Sequence, residues 1–258
     1  MALSNPPLRV LVAGPPSSGK TTLLTGQFLD LDRVSHSGLP AEFAGSYTLH
    51  EYERMCDTAF RWQDGARAAV PRTPRGLERE SAWLHLAFRF PTDGVVRHLL
   101  FSDMPGEAFV QWCNDKSAMP IETLAAVDVF WVVVDASRAA IKAERTAATD
   151  LLKRIRAEAA ERPVQVILTK VDKLVDINSE LKHKDVVHAA GQLVADLRRA
   201  WGSDAMAISP VAALPKEQAT NSGWQTLEPI ARLLAPRPPA AVPRRTNLIH
   251  YVDYMGLG

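Results

Sequence analysis

Cysteine is scarce in this 258-residue chain, which holds only Cys56 and Cys113. Two thiols without C-x-x-C spacing cannot make a disulfide framework, and a reducing compartment is the default expectation. Charge of one sign is lacking too. The 30 Lys and Arg nearly balance the 29 Asp and Glu, leaving a net charge of +1. No basic stripe interleaved with aromatics stands out either, so nucleic acid is not an expected partner. No apolar run is long enough to span a bilayer. The first apolar run, residues 8–13, has no charged region before it and no cleavage pattern after it. Position 2 is not Gly and the chain does not close on C-a-a-X, so no membrane anchor is expected. The seven histidines show no metal-ligand spacing. The expectation is a soluble, cytoplasmic protein. At 47% hydrophobic and 23% charged residues, it can bury one substantial core.

What the chain does hold is Gly14-Pro-Pro-Ser-Ser-Gly19-Lys20-Thr21, a complete G-x-x-x-x-G-K-[ST] sequence. An apolar run feeds into it, and a helical pattern over residues 21–31 leaves it. That strand–loop–helix setting separates a phosphate loop from a chance glycine-rich turn. Glycines let the backbone wrap around an oxyanion, and successive N–H groups with the helix N-terminus point at phosphates. Gly14, Pro15, Pro16, Ser17, Ser18, Gly19, Lys20, Thr21 and Thr22 are therefore the expected phosphate-binding set. Lys20 would reach the β- and γ-phosphates, and the Thr21 hydroxyl would hold Mg²⁺.

A long insertion follows, at about residues 32–76, in which Tyr52, Met55, Cys56, Ala59 and Trp62 recur at helical spacing. Residues 83–90 and 95–101 are apolar runs joined through Asp93-Gly94, the pattern of a β-hairpin. Continuous apolar runs at 127–134 and 164–168, and a short one at 205–208, read as strands covered on both faces. Between and after them, helical patterns run through Ala148–Ala159, Val186 to Trp201 and Trp224 to Leu234. The expected architecture is α/β: a mostly parallel six-stranded sheet with one antiparallel strand and helices on both faces, three layers in all. Residues 1–235 would form the domain. Residues 236–258 would be a proline-rich spacer followed by an apolar, aromatic tail, able to pack on its own domain or on a partner.

Two further motifs sit at strand ends. Asp103-Met-Pro-Gly106-Glu107 ends the second hairpin strand, where Asp103 would bind Mg²⁺ through water and the Gly106 N–H would face a γ-phosphate. Thr169-Lys170-Val171-Asp172 ends the 164–168 strand. A carboxylate there can accept from N1–H and the 2-amino group of guanine, whereas adenine has no donor at N1. Ser209 and Pro210, after the last strand, begin a segment expected to close over the base.

With these motifs the chain resembles the Ras-like and translation-factor-like class of P-loop GTPases. The likeness covers residues 8–235 apart from the insertion. It is that of a stand-alone G-domain with an expanded switch I region, similar to some bacterial examples. The resemblance implies GTP and GDP as ligands, Mg²⁺ as cofactor and a protein effector or companion subunit as partner. The T-K-x-D form departs from the commoner N-K-x-D. The switch I threonine, a ligand to Mg²⁺ and γ-phosphate, falls to Thr73, with Thr48 as the alternative. Glu107 stands where Ras-like members carry the glutamine that orients attacking water. Its charge would repel phosphate, so slow hydrolysis is expected. By this likeness Lys20, Thr73 and Glu107 are the catalytic candidates. Arg72 and Arg75 flank Thr73 and would act as a finger on transition-state charge, or form a solvated basic face.

Three functions fit these residues. One is a GTP-hydrolysing switch. The second is a nucleotide-binding assembly subunit with negligible turnover. The third is a P-loop ATPase, which leaves Asp172 unexplained.

Overall fold

Strand β1 (Leu8–Ala13) sets the pattern of the molecule: Val10 and Val12 turn to one face, Leu11 and Ala13 to the other, and all four are fully buried. The computed structural model describes residues 6–33, 38–60, 83–175, 181–213 and 223–235. After β1 come α1 (Lys20–Arg33), β2 (Glu42–Gly45), α2 (Leu49–Phe60), β3 (Trp83–Arg89) and β4 (Val96–Ser102). Then follow α3 (Gly106–Asn114), α4 (Ile121–Ala126), β5 (Val129–Asp135), α5 (Lys142–Ala159) and β6 (Val164–Thr169). The described chain ends with α6 (His183–Ala189), α7 (Gly191–Trp201), β7 (Ala207–Pro210) and α8 (Glu228–Leu234).

The strands form one sheet in the order β2-β3-β4-β1-β5-β6-β7. β3 is antiparallel to both of its neighbours, and the remaining pairings are parallel. This is the α/β architecture expected, with seven strands in place of six. The added strand, β2, lies within the insertion at the sheet edge. It is four residues long and carries one large apolar side chain, Phe43, so its period is too short to stand out.

Helices cover both faces. Phe109 and Trp112 of α3, Leu151, Leu152 and Ile155 of α5, and Leu193 and Leu197 of α7 pack on the face that holds Leu11. Leu23, Leu24 and Phe28 of α1, Tyr52 and Met55 of α2, and Ile230 and Leu233 of α8 pack on the face that holds Val10. β5, in the middle of the sheet, is buried along its whole length, as a continuous apolar run requires. The carboxyl ends of β1, β4, β5 and β6 share one sheet edge, and β1 lies between β4 and β5, where the chain crosses from one half of the sheet to the other. Loops at such a point form a crevice.

Two helices differ from their periodicity. The pattern running to Trp201 is broken at Ala190 (φ −86°, ψ 16°), giving α6 and α7 in place of one helix. The last helix starts at Glu228, because Trp224 is held in an antiparallel bridge to Ala212.

Candidate nucleotide-binding site

The loop between β1 and α1 is built on left-handed backbone. Ser17 (φ 63°) and Gly19 (φ 95°) both lie at positive φ, which turns successive N–H groups inward into an anion nest. Ser17 occupies this region without glycine's freedom, a cost that the surrounding contacts hold in place. Lys20 opens α1 and is 6% exposed. Its Nζ donates to the carbonyls of Gly14 (2.9 Å) and Pro15 (3.1 Å). Burial pulls the Lys20 ammonium down to about 8, while the negative charges of Asp103 and Glu107 pull the other way. Thr21 Oγ1 donates to the Asp103 carboxylate, 3.1 and 3.2 Å from its two oxygens. Thr22 follows, half-buried, in the first turn.

Gly106 opens α3 and backs directly onto the loop. A Cβ there would stand 2.4 Å from the Pro16 nitrogen and 2.6 Å from the Pro15 carbonyl carbon, so only glycine fits. Glu107 is in the first turn of α3, where a carboxylate is favoured by the helix dipole, and its charge is felt by Lys20.

The T-K-x-D segment also reaches the loop. Thr169 Oγ1 donates to the Ser18 carbonyl at 2.5 Å. Lys170, in the left-handed region at φ 55°, sends its Nζ to the Ser17 carbonyl (2.7 Å) and to Asp135 Oδ2 (2.6 Å). Asp172 lies in the short 3-10 turn that follows, half-buried. Asp135 was not among the candidates from sequence; its only signal is an acidic residue closing an otherwise apolar strand. The structure makes it the counter-ion of Lys170 and the acceptor for the Ser137 N–H at 3.0 Å.

Other candidates lie elsewhere. Ser209 is fully buried inside β7, and its hydroxyl accepts from Gln165 Nε2 at 2.7 Å, so it faces the sheet interior. Pro210 is buried beside it as the last residue of β7. Val211 is what meets T-K-x-D: its carbonyl accepts from the Val171 N–H at 3.5 Å, and its own N–H donates to the Leu168 carbonyl just before the motif at 2.7 Å. Thr48 Oγ1 accepts from the His85 N–H at 2.8 Å, which commits it to the edge of β3. Thr73, Arg72 and Arg75, together with Trp62 and the tail at 236–258, lie outside the described residues. Trp112 is fully buried core, and Trp201 packs partly buried against the same core. No cluster of His, Cys, Asp and Glu suited to a metal ion occurs among the described residues, and no described helix is long and apolar enough to cross a membrane. Lys20, Thr21, Asp103, Gly106, Thr169 and Lys170 are thus brought to one edge of the sheet.

Two of the solved structures to which the chain shows similarity are forms of one protein. One is Sup35 complexed with GDP, at 14% identity and TM-score 0.40, covering 82% of this chain and 38% of that one. The other is Sup35 complexed with GMPPNP, at 16% identity and TM-score 0.41, covering 83% and 39%. The chain therefore spans well under half the length of these solved relatives. No curated protein matches it. A family model described as Double-GTPase 2 matches residues 9–234, from β1 through α8, and the chain belongs to that family of P-loop GTPases.

Proposed function

We propose that the protein binds GTP and GDP with Mg²⁺, hydrolyses GTP slowly to GDP and phosphate, and acts as a nucleotide-dependent switch for a protein partner. The observation that carries this reading is the meeting of Thr21 with Asp103. A hydroxyl from the first turn of α1 and a carboxylate just past the end of β4 come within 3.1 and 3.2 Å, beside a buried lysine. Hard oxygen donors suit Mg²⁺, which keeps several waters and takes few protein ligands. When bound, Mg²⁺ supplies positive charge against the phosphate oxygens. Lys20 and the N–H groups of the loop would hold the β- and γ-phosphates, and the Gly106 N–H would meet the γ-phosphate. Glu107 would orient water at the γ-phosphorus, and its charge, repelling that phosphate, is the reason for a slow rate.

The family's description supports GTP as the nucleotide. Asp172 would read guanine through N1–H and the 2-amino group, and Thr169 and Lys170 would fix its position by their bonds to the phosphate loop. Displacement of a fluorescent GDP analogue by GDP, GTP, ADP and ATP in Mg²⁺ tests the reading. The expected outcome is a guanine preference of about 100-fold or more, lost in Asp172→Ala. Equal displacement by ADP and ATP would overturn it in favour of an ATPase. Single-turnover incubation with GTP then separates a slow hydrolase from an assembly subunit, which would retain GTP intact for hours.

A further inference from the structure

Helices α5 and α7 each lead from one parallel strand to the next, so they run in the same direction over the face that holds Leu11. Between their outer sides lies a groove of about 380 Å³. Lys142, Arg145, Thr149 and Lys153 of α5 line it, three or four residues apart and therefore on one helix face. Across an exposed pair of helices, cations and carboxylates ordinarily alternate. Here the cations Lys142, Arg145, Lys153 and Arg199 meet a single lining carboxylate, Asp196 of α7.

That carboxylate is used up within the wall. Its Oδ2 accepts from Arg145 Nε at 2.9 Å, and its Oδ1 accepts from Gln192 Nε2 at 3.0 Å and Arg199 Nη1 at 3.2 Å. The acidic residues of α5 do not restore the balance. Glu144 and Glu158 are taken by Arg138 and Arg154 outside the groove, and Asp150 answers only Lys153. Lys142 has no carboxylate in ion-pair reach among the described residues. Arg145 is the fixed member, with its side chain 18% exposed. Besides Asp196 it holds the Ala139 and Ala140 carbonyls through Nη1, at 2.9 Å each, while Nη2 has no acceptor among the described residues. A guanidinium immobilised in this way offers planar donors to a carboxylate at little further cost in side-chain entropy.

We infer that the α5–α7 groove is a docking site for an acidic helix of a protein partner, with Asp or Glu along one face. Arg145 is its anchor, and Lys142, Lys153 and Arg199 are its outer cations. From Lys142 to Lys153 the row extends about 16 Å along α5, too far for one small anion and suited to a ligand with a carboxylate at each turn. A net charge of +1 for the whole chain argues against a nucleic-acid backbone as the ligand. The groove shares no residue with the cleft at the phosphate loop, and the two meet only in the first turn of α5, where Glu144 lines one and Arg145 the other. A docked helix thus leaves the nucleotide site open. The inference gives chemistry to the partner of the proposed switch, but docking itself requires no nucleotide turnover.

The test uses the full chain, with and without GDP, and a fluorescein-labelled alanine-based helix of about 18 residues carrying glutamate on one face. A matching helix with glutamine in place of glutamate is the control, and binding is read by anisotropy at low and at physiological salt. The glutamate helix should bind and weaken with salt, and the glutamine helix should not bind. Lys142→Gln combined with Arg199→Gln should weaken binding about fivefold or more. Thermal midpoint and GDP affinity should stay at wild-type values, because both side chains are exposed. Lys116→Gln, a cation outside the groove, should bind as wild type does. No binding of the glutamate helix to wild type would overturn the inference. An equal loss in Lys116→Gln would do so as well, since it marks general attraction to the surface. Displacement of the helix by lower concentrations of an oligothymidylate of equal charge would reassign the groove to nucleic acid. A failure of GDP to bind leaves the helix titration readable, so the two readings fail separately.

Discussion

At Gly106 a single hydrogen in place of a side chain lets two loops meet. The start of α3 lies so close to Pro15 and Pro16 that an added Cβ would fall 2.4–2.6 Å from backbone atoms, which cannot rotate away. Sequence alone gives Gly106 a conformational role after a D-x-P-G turn; the structure adds a steric one, because the missing partner lies 90 residues back in the chain. Gly106→Ala should therefore push α3 off the phosphate loop, at a cost of about 1–3 kcal/mol in stability. Nucleotide affinity should fall about tenfold or more, since each factor of ten needs only about 1.4 kcal/mol. Urea unfolding and titration with a fluorescent GDP analogue check both numbers. Wild-type values for both would mean that the junction yields and that the close approach is not structural.

At the scale of elements, the ends of β1, β5 and β6 are joined by one side chain. Lys170 bridges the Ser17 carbonyl and the Asp135 carboxylate, holding the T-K-x-D turn against the phosphate loop. Removing only the charge with Lys170→Met leaves Asp135, 9% exposed, without this cation. Breaking such a partly buried pair is expected to cost about 3 kcal/mol. Guanine selectivity should suffer along with affinity, because Asp172 depends on the same turn; competition by ADP is the measurement, and unchanged selectivity would separate the turn from the loop. The motifs at these strand ends were legible because each packs its chemistry into a few adjacent residues with a fixed spacing. Asp135 was not, since its meaning lies in a partner 35 residues on. β2 escaped notice for want of length, and the division of α6 from α7 at Ala190 interrupts an apolar pattern that is otherwise continuous. Tyr52 was legible as one residue of an apolar helix face, but a periodicity cannot report that its hydroxyl is buried with no hydrogen-bond partner among the described residues. Ser209 shows the opposite error: its place after a strand suggested a loop, and the strand simply runs through it.

Taken as a whole, the molecule couples its insertion to its sheet through a pair of neutral histidines, and this makes global stability depend on pH. The Tyr47 N–H donates to His85 Nδ1 at 2.9 Å, which leaves the proton on Nε2 to be shared with His98 Nδ1 at 2.8 Å. The Tyr47 ring covers both imidazoles, with centroids 4.5 and 6.1 Å away. Burial pulls His85 down to about 4, with His98 adding to the effect, and burial lowers His98 as well. In the unfolded chain both titrate near the ordinary value of about 6.5. Between these limits the unfolded chain binds more protons than the folded one, so stability rises with pH. It should be complete above about pH 6.5, fall as pH drops towards 4, and level off below that, with His85 contributing about 3 kcal/mol at most. Protonation at Nδ1 also takes away the acceptor for the Tyr47 N–H, one of the bonds that hold the loop leading into α2. Urea unfolding of wild type and His85→Gln at pH 7.5 and 5.0 isolates the contribution, because carboxylates act alike in both proteins. The glutamine amide can still accept from Tyr47 but does not titrate, so its loss between the two pH values should be smaller than that of wild type. Equal losses in the two proteins would show that the pair does not carry the pH dependence, and that the acid sensitivity of the fold lies in its carboxylates.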